Sequence, residues 1–179
     1  KDTHFFLPVE KRDRLTTVYA SGPDGKIVRA PDGARGQGHY VEGPRKSFAG
    51  GAGLVSTARD YARFLEMTRN GGILDGVRVL SPRTVALMTT NQSGALHSTT
   101  GLGFGYGFQT VDRYGAAGLA SVGSYSWGGA YGSTYRVDPE ARLVLVMMLQ
   151  LMPGTADAGA KFPNLVYQAL VESPKRSAE

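Results

Sequence analysis

The chain has 179 residues, of which 41% are hydrophobic and 20% charged, and its net charge is +5. That length suffices for one domain with a real core, and no apolar run is long enough to cross a bilayer as a helix. The absence of cysteine removes disulfides and thiolate metal sites. Basic residues are scattered rather than clustered, which argues against a nucleic-acid surface.

In chain order, Thr16 to Ala20 and Lys26 to Arg29 read as short strands. Gly22-Pro23-Asp24-Gly25 between them has strong turn chemistry, so a small hairpin is expected. Pro31 to Gly38 is a glycine-rich loop. A loop that long in a compact domain is usually functional or packed on another segment. Ser56 and Thr57 suit the cap of a helix with Asp60 in its first turn. Tyr61, Phe64, Leu65 and Thr68 recur at helical spacing, and Asn70-Gly71-Gly72 stops it. Ser81-Pro82 opens a second helix, with Leu80 and Val85 as a hydrophobic staple and Leu80, Val85 and Met88 as core residues. Gly101 to Val111 reads as one strand, with Phe104, Tyr106 and Phe108 on one face and Gly103, Gly105 and Gly107 on the other. Near the end, Phe162, Leu165, Val166, Ala169 and Leu170 form the apolar stripe of a helix that packs on a sheet. Pro163 is expected in its first turn, and Ser173 to Glu179 reads as frayed.

Ser121 to Gln150 organises the chain. It reads as three strands: Ser121 to Trp127, Tyr131 to Val137 and Leu143 to Leu149. The last is a continuous apolar run, as for a strand covered on both faces. Asp138-Pro139-Glu140-Ala141 supplies the turn between the second and third. Between the first and second lies Trp127-Gly128-Gly129-Ala130. Two glycines there mark either a bulge or crowded packing point, or a place where a ligand approaches the backbone.

SYSWGGAYGSTYRVDPEARLVLVMMLQ resembles the third active-site region of the serine β-lactamase and penicillin-binding protein superfamily, on the branch of class C-like β-lactamases and esterases. There the strand beside the active site carries Lys-Thr-Gly, His-Thr-Gly or, in esterase-like members, Trp-Gly-Gly. GGAGLVSTARD, Gly50 to Asp60, is similar to the family's glycine-rich entry to a helix, and the resemblance covers nearly the whole chain. It implies an α+β fold, an antiparallel sheet flanked by helices, incomplete in this chain. It also implies serine hydrolysis of a carboxylic ester through an acyl-enzyme, with no cofactor. The alternatives are β-lactam or D-alanyl-peptide hydrolysis and, in another class, a non-catalytic binding or assembly fragment.

Acyl transfer by serine needs a nucleophile, a base beside it and an oxyanion hole. The family places the first two in Ser-x-x-Lys and an assisting tyrosine in Tyr-x-Asn; neither pattern occurs here. Ser56 and Ser133 are followed three residues on by Arg59 and Arg136, and arginine cannot serve as a base. No serine sits in Gly-x-Ser-x-Gly. The chain starts at Lys1-Asp2-Thr3, and in the family a similar KDT stretch lies well downstream of the nucleophile. The resemblance therefore implies that residues 1–179 are the C-terminal portion of one hydrolase domain, with nucleophile and base upstream.

On the same resemblance, the backbone N–H of Ala130 is the expected oxyanion-hole donor. Tyr125, Trp127, Gly128 and Gly129 are the expected substrate-binding positions, bordering a pocket at the sheet edge. Trp127 stands where many β-lactamases keep a cation for the substrate carboxylate. An indole has no full charge to offer, which favours neutral esters. The expected partners are a small ester or β-lactam and the N-terminal part of the same protein, with no nucleic acid and no membrane span. His4, His39 and His97 lack ligand spacing and read as surface or loop residues; for His39-Tyr40, which follows the glycine-rich loop, bordering the pocket is the alternative.

Overall fold

The computed structural model describes residues 1–43, 46–153 and 157–172. They form two compact units. The first comprises Lys1–Tyr61, Gly129–Ser133 and Met148–Ala156. A 3-10 helix, Val9–Arg14, leads to the hairpin of β1 (Tyr19–Ser21) and β2 (Ile27–Arg29), registered Tyr19 to Arg29 and Ser21 to Ile27. The turn forms where glycine chemistry calls for it: the Gly22 N–H donates to the Lys26 carbonyl at 2.7 Å, and Gly25 has φ +76°. On its other side Tyr19 bridges to Leu151 in parallel.

The glycine-rich loop of this unit is folded around one side chain. The Gln37 amide accepts from Val18 N–H at 3.0 Å and donates to the Val18 and Ala30 carbonyls at 2.8 and 2.9 Å. Gly33 and Gly38 bridge each other across the loop. Gly36 is buried, and any Cβ there would lie 2.0 Å from the Pro31 carbonyl oxygen, so only glycine fits.

The second unit comprises Ala62–Gly128, Thr134–Met147 and Asp157–Glu179. Helix α1, Ala58–Arg69, begins in the first unit, where Thr57 Oγ1 accepts from Asp60 N–H at 3.1 Å as the cap. In the second unit it buries Leu65, Met67 and Thr68 and ends at Gly71 and Gly72, both left-handed. Strands β3 (Ile73–Leu74) and β4 (Val77–Arg78) form a short hairpin. Helix α2, Pro82–Thr89, has the expected cap: Ser81 Oγ accepts from Thr84 N–H at 3.0 Å, with Pro82 in the first turn and Val85 buried.

A five-stranded antiparallel sheet follows in simple sequence order: β5 (Leu102–Phe104), β6 (Gln109–Val111), β7 (Tyr125–Gly128), β8 (Thr134–Asp138) and β9 (Leu143–Met147). The single strand expected over Gly101 to Val111 is instead a hairpin. Gly107 takes φ +90°, and the Gly105 N–H donates to the Phe108 carbonyl at 2.8 Å, closing a tight turn. Tyr106 is thereby thrown outward while Phe108 is buried. The bare glycine face does admit close neighbours: a Cβ on Gly103 would lie 2.2 Å from Asn91, and one on Gly105 2.1 Å from the Met88 carbonyl oxygen.

Strand β7 starts at Tyr125 rather than Ser121 because Gly123 has φ +86° and the Ser124 N–H turns back to the Ser121 carbonyl. In β9 only Leu145 is fully buried; its neighbours are half-buried, so the strand is less covered than a two-sided core strand. Helix α3, Ala158–Gln168, contains Pro163 in its second turn, not its first. The buried face is Pro163 and Tyr167, while Leu165 and Leu170 from the expected stripe are exposed. Ser173 to Glu179, expected to be frayed, lies outside the described residues. Among the described residues, no helix is long and apolar enough to cross a membrane.

Candidate active site

Strand β7 is positioned from behind. Tyr125 is 2% exposed, packs on Phe108 at 5.0 Å between ring centroids, and meets Thr68 Oγ1 through its hydroxyl at 2.8 Å. Thr68 spends its own proton on the Leu65 carbonyl at 2.7 Å, so the phenol is the donor in the tyrosine–threonine bond. Burial pushes the Tyr125 phenol up to about 12. Tyr125 thus ties β7 to α1 from inside the unit rather than facing solvent.

Two residues on, the strand turns outward. Trp127 is 46% exposed, and its ring meets Phe104 edge to face, 4.8 Å between centroids at 84°. Phe104 in turn stacks on His97 at 5.1 Å, and His97 Nε2 lies 3.1 Å from the Gln109 amide nitrogen. Strand β6 pairs with β7 only at Tyr125 and Ser126. Among the described residues, Trp127 and Gly128 therefore have a strand partner only on the β8 side, opposite Tyr135 and Thr134. A central strand has become a local edge at the position the sequence marks. Its unpaired side is where an extended ligand could lie.

Past Gly128 the chain enters the first unit as a five-residue connection, Gly129–Ser133. The Gly129 N–H donates to the Ser133 carbonyl at 2.8 Å, and the Gly132 N–H to the Gly129 carbonyl at 3.0 Å. With Gly132 at φ +85°, this is the three-residue hairpin loop that ends in a left-handed glycine. Ala130 is exposed at its tip, and among the described residues its N–H has no acceptor. Gly129 is exposed with ordinary φ, and a Cβ there would meet nothing nearer than Ser133 Cβ at 4.0 Å. The chain's own packing thus does not require glycine at 129.

The other candidates are dispersed. His4 pairs with Val55 in a backbone bridge and lies 3.1 Å from Lys11 Nζ in the first unit; His39 is exposed there; His97 belongs to the second unit. No group of three or more metal-ligating side chains occurs among the described residues. Sequence reasoning missed Phe104 as a neighbour of Trp127, and His97 as the ring packed on Phe104, because the hairpin between β5 and β6 was not legible as a hairpin. It also missed Tyr40 and Tyr131, whose hydroxyls meet at 3.2 Å.

A family model described as Beta-lactamase matches residues 1–170. Protein Rv1367c of Mycobacterium tuberculosis is 36% identical over 173 residues, covering 89% of this chain and 42% of that protein. Esterase EstB of Burkholderia gladioli is 31% identical over 161 residues, 87% of this chain and 36% of its own. Among solved structures, EstCE1, described as a hydrolase with promiscuous acyltransferase activity, superposes with a TM-score of 0.72 at 26% identity. That match covers 92% of this chain and 46% of EstCE1. The chain spans less than half the length of these relatives. With α+β architecture, antiparallel strands and the matched region extending through α3, the chain belongs to the Beta-lactamase family.

Proposed function

We propose that residues 1–179 are the C-terminal portion of one serine hydrolase domain whose complete form cleaves small neutral carboxylic esters through an acyl-serine intermediate. The observation that carries this reading is the Ala130 N–H, exposed and without an acceptor among the described residues, at the tip of a turn closed on both sides by hydrogen bonds. An exposed turn N–H is ordinarily just solvated. Here it follows a local strand edge and a glycine that packing does not demand, which is the setting an oxyanion donor needs.

In this reading an upstream serine attacks the ester carbonyl and its proton passes to an upstream base. The carbonyl oxygen becomes an oxyanion, and the Ala130 N–H donates to it. The alcohol leaves, taking the proton, and water then hydrolyses the acyl-serine by the reverse path. The acyl portion runs beside Trp127 and Gly128, with Gly129 giving it room. Trp127 offers an apolar face and one N–H in place of a cation, which suits an ester better than a carboxylate-bearing β-lactam. The similarity to an esterase and to a hydrolase with acyltransferase activity supports the same choice. Tyr125, being buried, contributes by anchoring β7. Exposed Val77, Val79, Leu87 and Leu96 support upstream sequence as the covering partner.

The test is to treat the 179-residue chain and the full-length protein with a p-nitrophenyl ester and a serine-reactive phosphonate. The full-length protein is expected to turn over the ester and be labelled on one serine upstream of Lys1. The 179-residue chain is expected to do neither. Covalent labelling of a serine within the shorter chain would overturn the assignment of roles.

A further inference from the structure

The loop that carries Ala130 is held from one side by a pair of tyrosines. The Tyr131 hydroxyl donates to the Gly36 carbonyl at 3.4 Å and accepts from the Tyr40 hydroxyl at 3.2 Å. The Tyr131 carbonyl accepts from Leu151 N–H at 3.0 Å. Next to it, Ser133 Oγ donates to the Leu149 carbonyl and accepts from its N–H, both at 3.1 Å. All of these groups lie in the first unit.

The groups that grip Tyr131 are themselves fixed. The Gly36 carbonyl belongs to the loop braced by Gln37, at the residue where a Cβ has no room. The Tyr40 carbonyl accepts from Leu7 N–H at 2.9 Å, and the ring packs where a Cβ on Gly38 would lie 2.3 Å away. Burial, then the bond to Tyr131, holds the Tyr40 phenol above its ordinary value, so it remains a donor at any working pH. Such effort on a solvent-exposed hairpin tip has little to give the core. The Ala130 N–H lies in the Gly129–Ala130 peptide, whose carbonyl accepts from Gly132 N–H at 3.0 Å, and the grip on Tyr131 fixes the loop one peptide further on.

We infer that Tyr131 and Tyr40 are positioning residues for the Ala130 N–H: the two hydroxyls and the Gly36 carbonyl clamp the loop so that the donor is aimed before substrate arrives. This rests on the ester-hydrolase reading above. It adds that the glycine-rich loop of residues 31–40 acts on turnover without touching substrate. An oxyanion donor removed outright costs about a hundred- to a thousandfold in turnover, and one left in place but loosened costs less.

The experiment uses the full-length protein with Tyr131→Phe, Tyr40→Phe and the double variant, each retaining the ring and losing one or both hydroxyls. For a p-nitrophenyl ester, kcat is expected to fall about tenfold in Tyr131→Phe, with KM within about twofold and an unchanged melting temperature. The double variant should be no slower than Tyr131→Phe alone, because both hydroxyls act through one clamp. Affinity for a phenylboronic acid, which mimics the tetrahedral intermediate, should fall in step with kcat/KM. Unchanged kcat in both single variants would overturn the inference, as would losses in kcat matched by losses in thermal stability. Gly129→Val run beside them separates the two levels. If it loses turnover while the tyrosine variants do not, the hydrolase reading stands and the clamp falls. A wild-type protein with no ester turnover takes both down.

Discussion

Strand β8 has a connection at each end, and the two are built on opposite terms. At its C-terminal end Asp138 is fully buried. Its carboxylate accepts from Ser121 N–H at 3.0 Å, Ala141 N–H at 2.8 Å and the Tyr167 hydroxyl at 2.7 Å. Burial alone would raise this carboxyl, but those three donors outweigh it and hold it below the usual carboxylate range. Tyr167 answers in the other direction, its phenol pushed up by burial and by the same carboxylate. The Asp138 carboxylate at that turn is wholly engaged in holding the chain. At the N-terminal end the backbone from Trp127 to Ala130 is exposed, a glycine stands where packing does not need one, and a donor is left open. The turn after Asp138 closes its hydrogen bonds on the chain itself, whereas the turn at Ala130 leaves one N–H without an acceptor among the described residues and is braced by Tyr40 and Gly36.

The largest effect that could break this contrast is at the closed turn. Asp138→Ala strands two backbone donors and a phenol in the interior and is expected to cost about 3 kcal/mol in urea denaturation, while turnover per folded molecule holds. A loss below about 1 kcal/mol would mean that the network is not structural. The same carboxylate has a pH signature. Because its folded value lies below the unfolded one, its stabilisation is present above about pH 4 and fades as pH falls through the folded value. Asp138→Asn should therefore flatten the acid limb of the stability profile; an unaltered limb would assign it to other carboxylates.

At the open turn the expectation is reversed. Gly129→Val in the full-length protein should lower kcat on the order of a hundredfold, by pushing the acyl group out of line, and leave the melting curve in place. Equal losses in both would make the glycine structural and end the contrast. The smallest effect sits between the two. Tyr125→Phe removes a donor from Thr68, which keeps its own bond to Leu65, so about 1 kcal/mol is expected with little change in turnover. Since burial raises that phenol to about 12, its contribution is present below about pH 10 and lost as pH climbs toward the folded value. Tyr125→Phe should lose the alkaline part of the stability profile, and a profile identical to wild type would contradict it.

What was legible in the sequence follows the same division. Turns that close on local chemistry could be read: Gly22 to Gly25, the Thr57 and Ser81 caps, and the turn after Asp138 all formed where their residues require them. Trp127-Gly128-Gly129 could be read as a break in a strand, and the structure supplies the reason in the early end of β6. The misreadings were of register. Alternation in Gly101 to Val111 reads as one straight strand, but the turn at Gly107 reverses the parity and sets Phe104 opposite Gln109, a fold-back that only a glycine able to take φ +90° marks in the sequence. The face of α3 was rotated because Pro163 and Tyr167 are buried in place of longer aliphatic residues, and propensity does not report which neighbour is waiting. The meeting of Tyr40 with Tyr131 joins residues 91 positions apart and has no local signal.

The strict order of the five-stranded sheet has one more consequence, for kinetics. Among the described residues, each of β5 to β9 pairs only with its neighbour in the chain, so within this sheet no pairing has to wait for a distant segment. Loop closure is costly in entropy when the ends are far apart, and here the widest gap runs only from Val111 to Tyr125. Such a meander can form by successive zipping and sits at the fast end for β-structure. The sheet that presents Trp127 can therefore assemble as a local event, ahead of any contact that must be found at long range.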